Sequence, residues 1–151
     1  MTSDREIVIT RILKAPRELA FDAWSSPNHI DKWFGPNGFR NVTERMDFRP
    51  GGEWIFVMHG PDGVDYNNRV RYLEIVRPEK IIYLHDSGKD NDPAEFQSTV
   101  TFEVVGKQTR ITLRSLFKTK EARDFVVREV GAIEGGQQTL GRLDDYLSTI
   151  A

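Results

Sequence analysis

The side chains of this chain that could carry chemistry include three histidines and no cysteine. His29, His59 and His85 are not spaced from one another, or from a carboxylate, as metal ligands are. No Gly-x-Ser-x-Gly or other nucleophile motif occurs. We therefore predict no metal, no cofactor and no catalytic residue from spacing alone. If the chain is an enzyme, acid–base catalysis by His59, His85 or Glu129 is the chemistry that remains.

Three polar side chains occupy positions that strand alternation assigns to an apolar face. His85 follows the parity of Ile81 and Tyr83, and Ser98 and Ser115 stand in register with apolar neighbours. Burying such a group without a hydrogen-bond partner costs about 1–3 kcal/mol. Each therefore needs a partner in the protein, in ordered water or in a ligand. A few polar groups in an aromatic-lined concavity are typical of a small-molecule site.

Two arginines share the parity of apolar residues on one predicted strand. Arg69 and Arg71 alternate with the same period as Leu73 and Ile75, so one or both are expected to point inward. A bulge or a strand end would instead let them reach solvent. If Arg71, the deeper one, is buried, it needs an anion. Glu129, or a carboxylate or phenolate of a ligand, would serve.

Aromatic residues are concentrated where they could close or line a cavity. Trp33 and Phe34 precede Gly35-Pro36, so they either plug one end of the core or form the lip of an entrance. Two predicted strand faces are also aromatic, and they serve either as core or as site lining. Their members are Trp54, Phe56 and Met58 on one strand, and Phe96, Ser98 and Phe102 on the other.

The elements that must position these residues begin with the C-terminal stretch, residues 119–149. Its apolar residues, Phe125 and Ile133 among them, recur with the period of a helix that buries one face. Four glycines interrupt it, at positions 131, 135, 136 and 141, and each costs a helix about 1 kcal/mol. Either the backbone packs closely on a sheet or breaks there, or the missing side chains leave room for a guest.

The remaining order is one strand, two short helices and about six strands joined by short turns. The strands are expected near residues 6–13, 41–46, 54–59, 67–76, 80–85, 96–104 and 111–117. Short turns between strands indicate an antiparallel sheet with one apolar face, which only the C-terminal helix is long enough to cover. We predict an α+β fold in which a curved antiparallel sheet wraps around that helix. Residues 1–151 are expected to form one domain.

Three spaced motifs resemble a known family. They are Pro27 followed by Trp33-Phe34-Gly35-Pro36, then Asp47-x-Arg49-Pro50-Gly51-Gly52-x-Trp54, then Tyr72-x-Glu74-Ile75-Val76-x-Pro78-Glu79-x-Ile81. In this order they are similar to the family named after the activator of heat-shock-protein-90 ATPase homologue, within the START-like (SRPBCC) superfamily. The resemblance implies a helix-grip fold and a small hydrophobic or amphipathic ligand between sheet and helix. The chaperone role in the family's name is not carried over, since fold alone does not imply function.

Together these arguments select thirteen candidate ligand-binding residues. They are Trp33, Phe34, Trp54, Phe56, Met58, Arg71, His85, Phe96, Ser98, Phe102, Phe125, Glu129 and Ile133.

Composition narrows the classes of partner. A net charge of −2 gives no general attraction to nucleic acid or to anionic membranes. No apolar run is long enough for a membrane span, and no signal pattern opens the chain, so we expect a cytoplasmic protein, monomeric or homodimeric. Three function classes remain: a ligand-binding protein, an enzyme such as a cyclase, dehydratase or hydrolase acting on such a ligand, and a protein-interaction module with a chaperone partner.

Overall fold

A seven-stranded sheet forms most of the molecule in the computed structural model, which describes residues 3–150. Met1, Thr2 and Ala151, included in the predicted domain, lie outside this range. The strands are β1 (Glu6–Leu13), β2 (Arg40–Met46), β3 (Glu53–His59), β4 (Asp65–Val76), β5 (Lys80–Asp86), β6 (Phe96–Val105) and β7 (Gln108–Phe117). Every neighbouring pair is antiparallel, in the order β1-β7-β6-β5-β4-β3-β2. The predicted α+β fold with an antiparallel sheet is confirmed.

Two short helices, α1 (Arg17–Asp22) and α2 (Pro27–Ile30), follow the first strand as expected. Pro27 occupies the first turn of α2, where its missing N–H is not needed. The carboxylate of Asp31, at the end of α2, accepts hydrogen bonds from Asn41 Nδ2 at 2.7 Å and from the Thr43 N–H at 3.0 Å. These bonds attach α2 to β2 and hold the following aromatic residues against the sheet.

The C-terminal stretch is a broken helix. Helix α3 (Lys120–Phe125) leads into a π-helical turn (Val126–Val130), and α4 (Ala132–Ile150) follows after Gly131. Gly131 has φ +68°, in the left-handed region that other residues enter only at a cost. The chain therefore changes direction at Gly131. The stretch is therefore not one continuous helix, and the break that was one of the expectations for its glycines occurs at Gly131.

Helix α4 covers the inner face of the sheet beside β1. Leu140, Leu143 and Leu147 are fully buried on it. Asp144 Oδ1 accepts a hydrogen bond from the Lys14 N–H at 3.0 Å, which fixes the helix to the end of β1. Within residues 3–150, no helix is both long and apolar enough to cross a membrane.

The glycines of α4 fit tightly against other parts of the chain. A Cβ on Gly136 would overlap Ile9 Cδ1, and a Cβ on Gly135 would touch the Pro36 ring at 3.4 Å. At Gly136, therefore, the missing side chain allows close approach of the helix to β1. The space under this region lies beneath both the π-helical turn and the start of α4, as described below.

Substituting Gly131 and Gly135 separately tests the role of the break. Gly131→Ala should destabilise the fold by about 1–2 kcal/mol, because alanine is strained at φ +68°. Gly135→Ala should be neutral or stabilise it by up to about 1 kcal/mol, because that residue is helical and its Cβ meets Pro36 only in ordinary contact. Urea unfolding measures both. Equal effects of the two substitutions would contradict this account of the break.

Candidate functional site

A cavity of about 250 Å³ lies between the inner face of the sheet and the broken C-terminal stretch. Strands β1, β5, β6 and β7 form its floor, and the π-helical turn and the start of α4 form its roof. The floor residues are Ile7, Ile9, Tyr83, His85, Phe96, Ser98, Leu113, Ser115 and Phe117. Phe34 closes one side, and the roof residues are Val126, Val130, Ala132, Gly136 and Thr139.

The floor is positioned by strict register between β6 and β7. Ser98 pairs with Ser115, Phe96 with Phe117, and Val100 with Leu113, so each pair lies on the same face. His85 pairs with Phe96 across the β5–β6 ladder, and their ring centroids are 4.8 Å apart. The cavity therefore has an aromatic end and a polar middle.

Helix α3, which leads into the roof, has a capped start, and the roof is open to solvent at Val130. Thr119 caps α3 by accepting a hydrogen bond from the Ala122 N–H at 3.0 Å. Val130 lines the cavity but is 67% exposed, so the cavity opens to solvent beside the π-helical turn. A molecule entering the cavity would pass this edge.

Phe34 connects the cavity to the aromatic core. Its ring lies 5.0 Å from Trp54 and 5.7 Å from Phe56, both in edge-on geometry, while it also lines the cavity. Trp33, the neighbouring residue, is fully buried, and its indole N–H donates to the Ala23 carbonyl at 3.1 Å. Of this pair, Trp33 belongs to the core and Phe34 to the cavity wall.

The hydroxyl groups of the floor and the roof are mostly engaged with the protein. Ser98 Oγ and Ser115 Oγ are 3.5 Å apart, and Thr139 Oγ1 donates to the Gly135 carbonyl at 2.8 Å. Burial raises the pKa of Tyr83 to about 12, so its hydroxyl stays protonated at neutral pH. No charged side chain of residues 3–150 lines this cavity.

His85 is the titratable imidazole of the cavity. Burial lowers its pKa to about 4, against a smaller opposite effect of the Asp86 charge. The ring is therefore neutral at physiological pH. With a pKa so far below neutrality it is a weak base.

The structure brings only some of the predicted residues to the cavity. Phe34, His85, Phe96 and Ser98 line it. Trp33, Trp54, Phe56 and Phe102 are buried in the hydrophobic core, and Met58 and Ile133 pack partly buried against that core. Phe125 is 53% exposed and lines a separate shallow groove on α3.

Arg71 lies on the outer face of the sheet, so its selection as a pocket residue is wrong and the alternative of a bulge in this strand is correct. Tyr72 pairs with Tyr83 and Glu74 with Ile82, so Leu73 is a bulge and the parity of β4 reverses there. Before the bulge, Val70 and Tyr72 face inward and Arg69 and Arg71 face outward.

The outer face supplies the anions that these arginines need. Asp86 accepts from Arg69 Nε at 3.0 Å and Nη2 at 2.8 Å, and Arg71 contacts Asp86 and Glu95. Burial would raise the pKa of Asp86, but the Arg69 hydrogen bonds, the Gly88 N–H and the charges of both arginines lower it overall. Glu129 instead contacts Arg128 on the exposed side of the turn. Arg71 and Glu129 are thus not partners.

The sequence-based selection missed several lining residues, for two reasons. Tyr83 on β5 follows the strand alternation of His85, and Leu113 and Phe117 on β7 follow that of Ser115, so extending the alternation along each strand would have included them. The residues of the roof depend on where the helix breaks. Helical periodicity gives no sign that Val126, Val130 and Ala132 face a cavity.

The described residues give no metal centre: within 3–150, no group of three or more His, Asp or Glu side chains is arranged to hold a metal ion.

Comparison with known proteins gives one family and a set of similar folds. The family model described as Activator of Hsp90 ATPase homolog 1-like protein matches residues 14–148. A search of curated proteins found no significant match. Among solved structures, a protein of Nitrosomonas europaea is 26% identical, with a TM-score of 0.87 over 99% of this chain and 97% of its own.

Two further structures have the same fold. A protein of Arthrobacter aurescens has a TM-score of 0.90 at 22% identity, covering 99% of this chain and 89% of its own. The AHSA1 protein of Silicibacter pomeroyi has a TM-score of 0.77 at 20% identity, covering 97% of this chain and 99% of its own. These likenesses agree with the predicted helix-grip architecture.

The lowered pKa of His85 predicts a pH dependence of stability. An unfolded histidine binds its proton near pH 6.5, whereas folded His85 does so only near pH 4. Between these values the unfolded state binds more protons, so acidification should reduce the free energy of unfolding by up to about 3 kcal/mol. The stability that is lost on acidification is fully present above about pH 6.5, where the imidazole is neutral in both states.

Urea unfolding of the wild type and His85→Phe between pH 7 and pH 4 measures the effect. The variant should lose less stability than the wild type over this range. Two profiles that fall in parallel would show that His85 is not the buried neutral group described here.

Proposed function

This chain belongs to the family of Activator of Hsp90 ATPase homolog 1-like proteins, and we propose that it binds a small apolar or amphipathic molecule in the cavity beneath the π-helical turn. The observation that carries the proposal is the cavity itself. It has about 250 Å³ of space, an opening at Val130, and an apolar wall with few polar groups. Ligand sites for small molecules share these features.

The cavity is too large and too apolar to be a packing defect filled by one water. One water occupies about 30 Å³ in the liquid, so the cavity would hold roughly eight waters. Most of its wall offers them no hydrogen bond. Replacing such waters by an apolar molecule is favourable, at about 25 cal/mol for each Å² of apolar surface removed from water. The free energy for binding would therefore come from burial of the ligand's apolar surface.

Binding is better supported than acid–base catalysis. Of the three residues that sequence reasoning named for catalysis, only His85 lines the cavity. His59 contacts Asp65 on the β3–β4 hairpin, and Glu129 contacts Arg128. Because the pKa of His85 is about 4, it is poorly matched to proton abstraction near neutral pH.

Filling the cavity should weaken binding of an aromatic probe. We choose 2-naphthol, a fluorescent two-ring molecule, and expect it to raise the thermal unfolding temperature of the wild type. At a hundred times Kd the expected stabilisation is about 2.7 kcal/mol. Ala132→Phe places a ring in the roof and should weaken binding at least about tenfold, while leaving the fold intact because it fills existing space.

Val8→Phe is the matched control. Val8 lies between the lining residues Ile7 and Ile9 on β1, but it is 49% exposed on the opposite face. It should bind 2-naphthol as the wild type does. Equal affinity of Ala132→Phe and Val8→Phe would place any binding outside the cavity and remove the support for the proposal.

A further inference from the structure

We infer that the ligand of this cavity is an uncharged one- or two-ring aromatic molecule with a ring hydroxyl, and that this hydroxyl donates a hydrogen bond to Nδ1 of His85. The inference rests on the proposed function and adds the chemical class of the ligand and its orientation. Four features support it: the tautomer of His85, its open nitrogen, the size of the cavity and the lack of charge in its wall.

The tautomer of His85 is fixed by Asn68. His85 Nε2 lies 2.8 Å from Asn68 Oδ1, and Asn68 Nδ2 donates to the Tyr66 carbonyl at 2.9 Å. The second bond orients the amide, so its oxygen faces the imidazole and must accept a hydrogen bond from it. Nε2 therefore carries the hydrogen of the neutral ring, and Nδ1 carries a lone pair.

Nδ1 is the acceptor that the ligand would satisfy. Among the side chains and backbone groups of residues 3–150, none donates a hydrogen bond to Nδ1. The atom is nevertheless not fully buried. It is therefore accessible, and the ring that carries it lines the cavity. An apolar ligand that covers this atom would leave it buried without a hydrogen bond, which would weaken binding by about 1–3 kcal/mol. A ligand hydroxyl would avoid that loss.

The volume limits the ligand to one or two rings. An apolar protein cavity of about 150 Å³ can bind benzene, and this one has about 250 Å³. The aromatic end suits a flat ring, because Phe96 lies 4.8 Å from the His85 ring and 5.1 Å from Phe117. Rings at such distances gain from edge-on or offset contact.

Within the described residues, the cavity wall has no charged side chain that could pair with a charged group of a ligand. None of its described side chains is ionised at neutral pH, since His85 is neutral and Tyr83 is protonated. Arg69 and Arg71, the nearest candidates for an anion partner by sequence, face outward and are paired with Asp86. Burying a carboxylate or phenolate here would be strongly unfavourable. The ligand carboxylate or phenolate considered from the sequence is therefore excluded from this site.

A ligand pair that differs only in the donor tests the inference. Affinities of 2-naphthol and 2-methylnaphthalene are measured by fluorescence for the wild type, His85→Phe and the control His59→Phe. Because methyl and hydroxyl groups differ in hydrophobicity, the quantity compared is the ratio of the two Kd values in each protein. We expect His85→Phe to shift this ratio about tenfold toward 2-methylnaphthalene.

The control should keep the wild-type ratio, because His59 lies on the β3–β4 hairpin and outside the cavity. An unchanged ratio in His85→Phe, with both ligands bound, would overturn the hydrogen bond to His85 but leave the proposed function standing. Binding of neither ligand to the wild type would count against both. Stronger binding of 2-naphthoate than of 2-naphthol would overturn the requirement for an uncharged ligand.

A measurement on the wild type alone avoids dependence on the variant's folding. The ¹⁵N NMR signals of the His85 imidazole should show a protonated Nε2 and an unprotonated Nδ1 in the free protein. Addition of 2-naphthol should shift the Nδ1 signal, and 2-methylnaphthalene should not. A protonated Nδ1 in the free protein, or no difference between the two ligands, would overturn the inference.

Discussion

An antiparallel sheet with one apolar face must be covered, and in this chain the covering segment changes direction at Gly131. A residue with φ +68° ends the π-helical turn, and α4 then starts along a new line. Helix α4 approaches β1 closely where Gly136 meets Ile9, and both residues also line the cavity. The cavity lies between the floor and this covering segment, under the π-helical turn and the start of α4.

The same constraint explains why the polar floor residues are tolerated. His85, Ser98 and Ser115 occupy inner-face positions that the core would otherwise fill with apolar side chains. All three line the cavity. Asn68 satisfies one nitrogen of His85, and the two serines approach each other across the β6–β7 ladder. Nδ1 of His85, to which no described group donates, then remains as a polar feature that could orient a guest.

Much of the architecture could be predicted from the sequence, because strand alternation and turn residues are local signals. The strand β1 was predicted at its observed limits, and the alternation of β6 placed Phe96 and Ser98 on the inner face. His85 was identified by the same rule. These residues needed only period-two counting to be assigned to the site.

The rest depended on irregularities that alternation does not reveal. The bulge at Leu73 reverses the parity of β4, so Arg71 points away from the cavity although it shares the parity of Ile75. The π-helical turn places Val126 and Val130 over the floor, and both have ordinary helical spacing in the sequence. The aromatic residues Trp54 and Phe56 share the inner face but lie beneath Phe34, which separates them from the open space.

The most direct test of a ligand cavity beneath the broken helix is a crystal structure of the protein grown with 6-bromo-2-naphthol. Anomalous scattering from bromine would locate the molecule without prior assumptions. The expected result is one bromine site between the roof at Val126 and the floor at Phe96, with the hydroxyl within hydrogen-bond distance of His85 Nδ1. Bromine sites confined to the outer surface, with the space beneath the turn occupied by water alone, would contradict it.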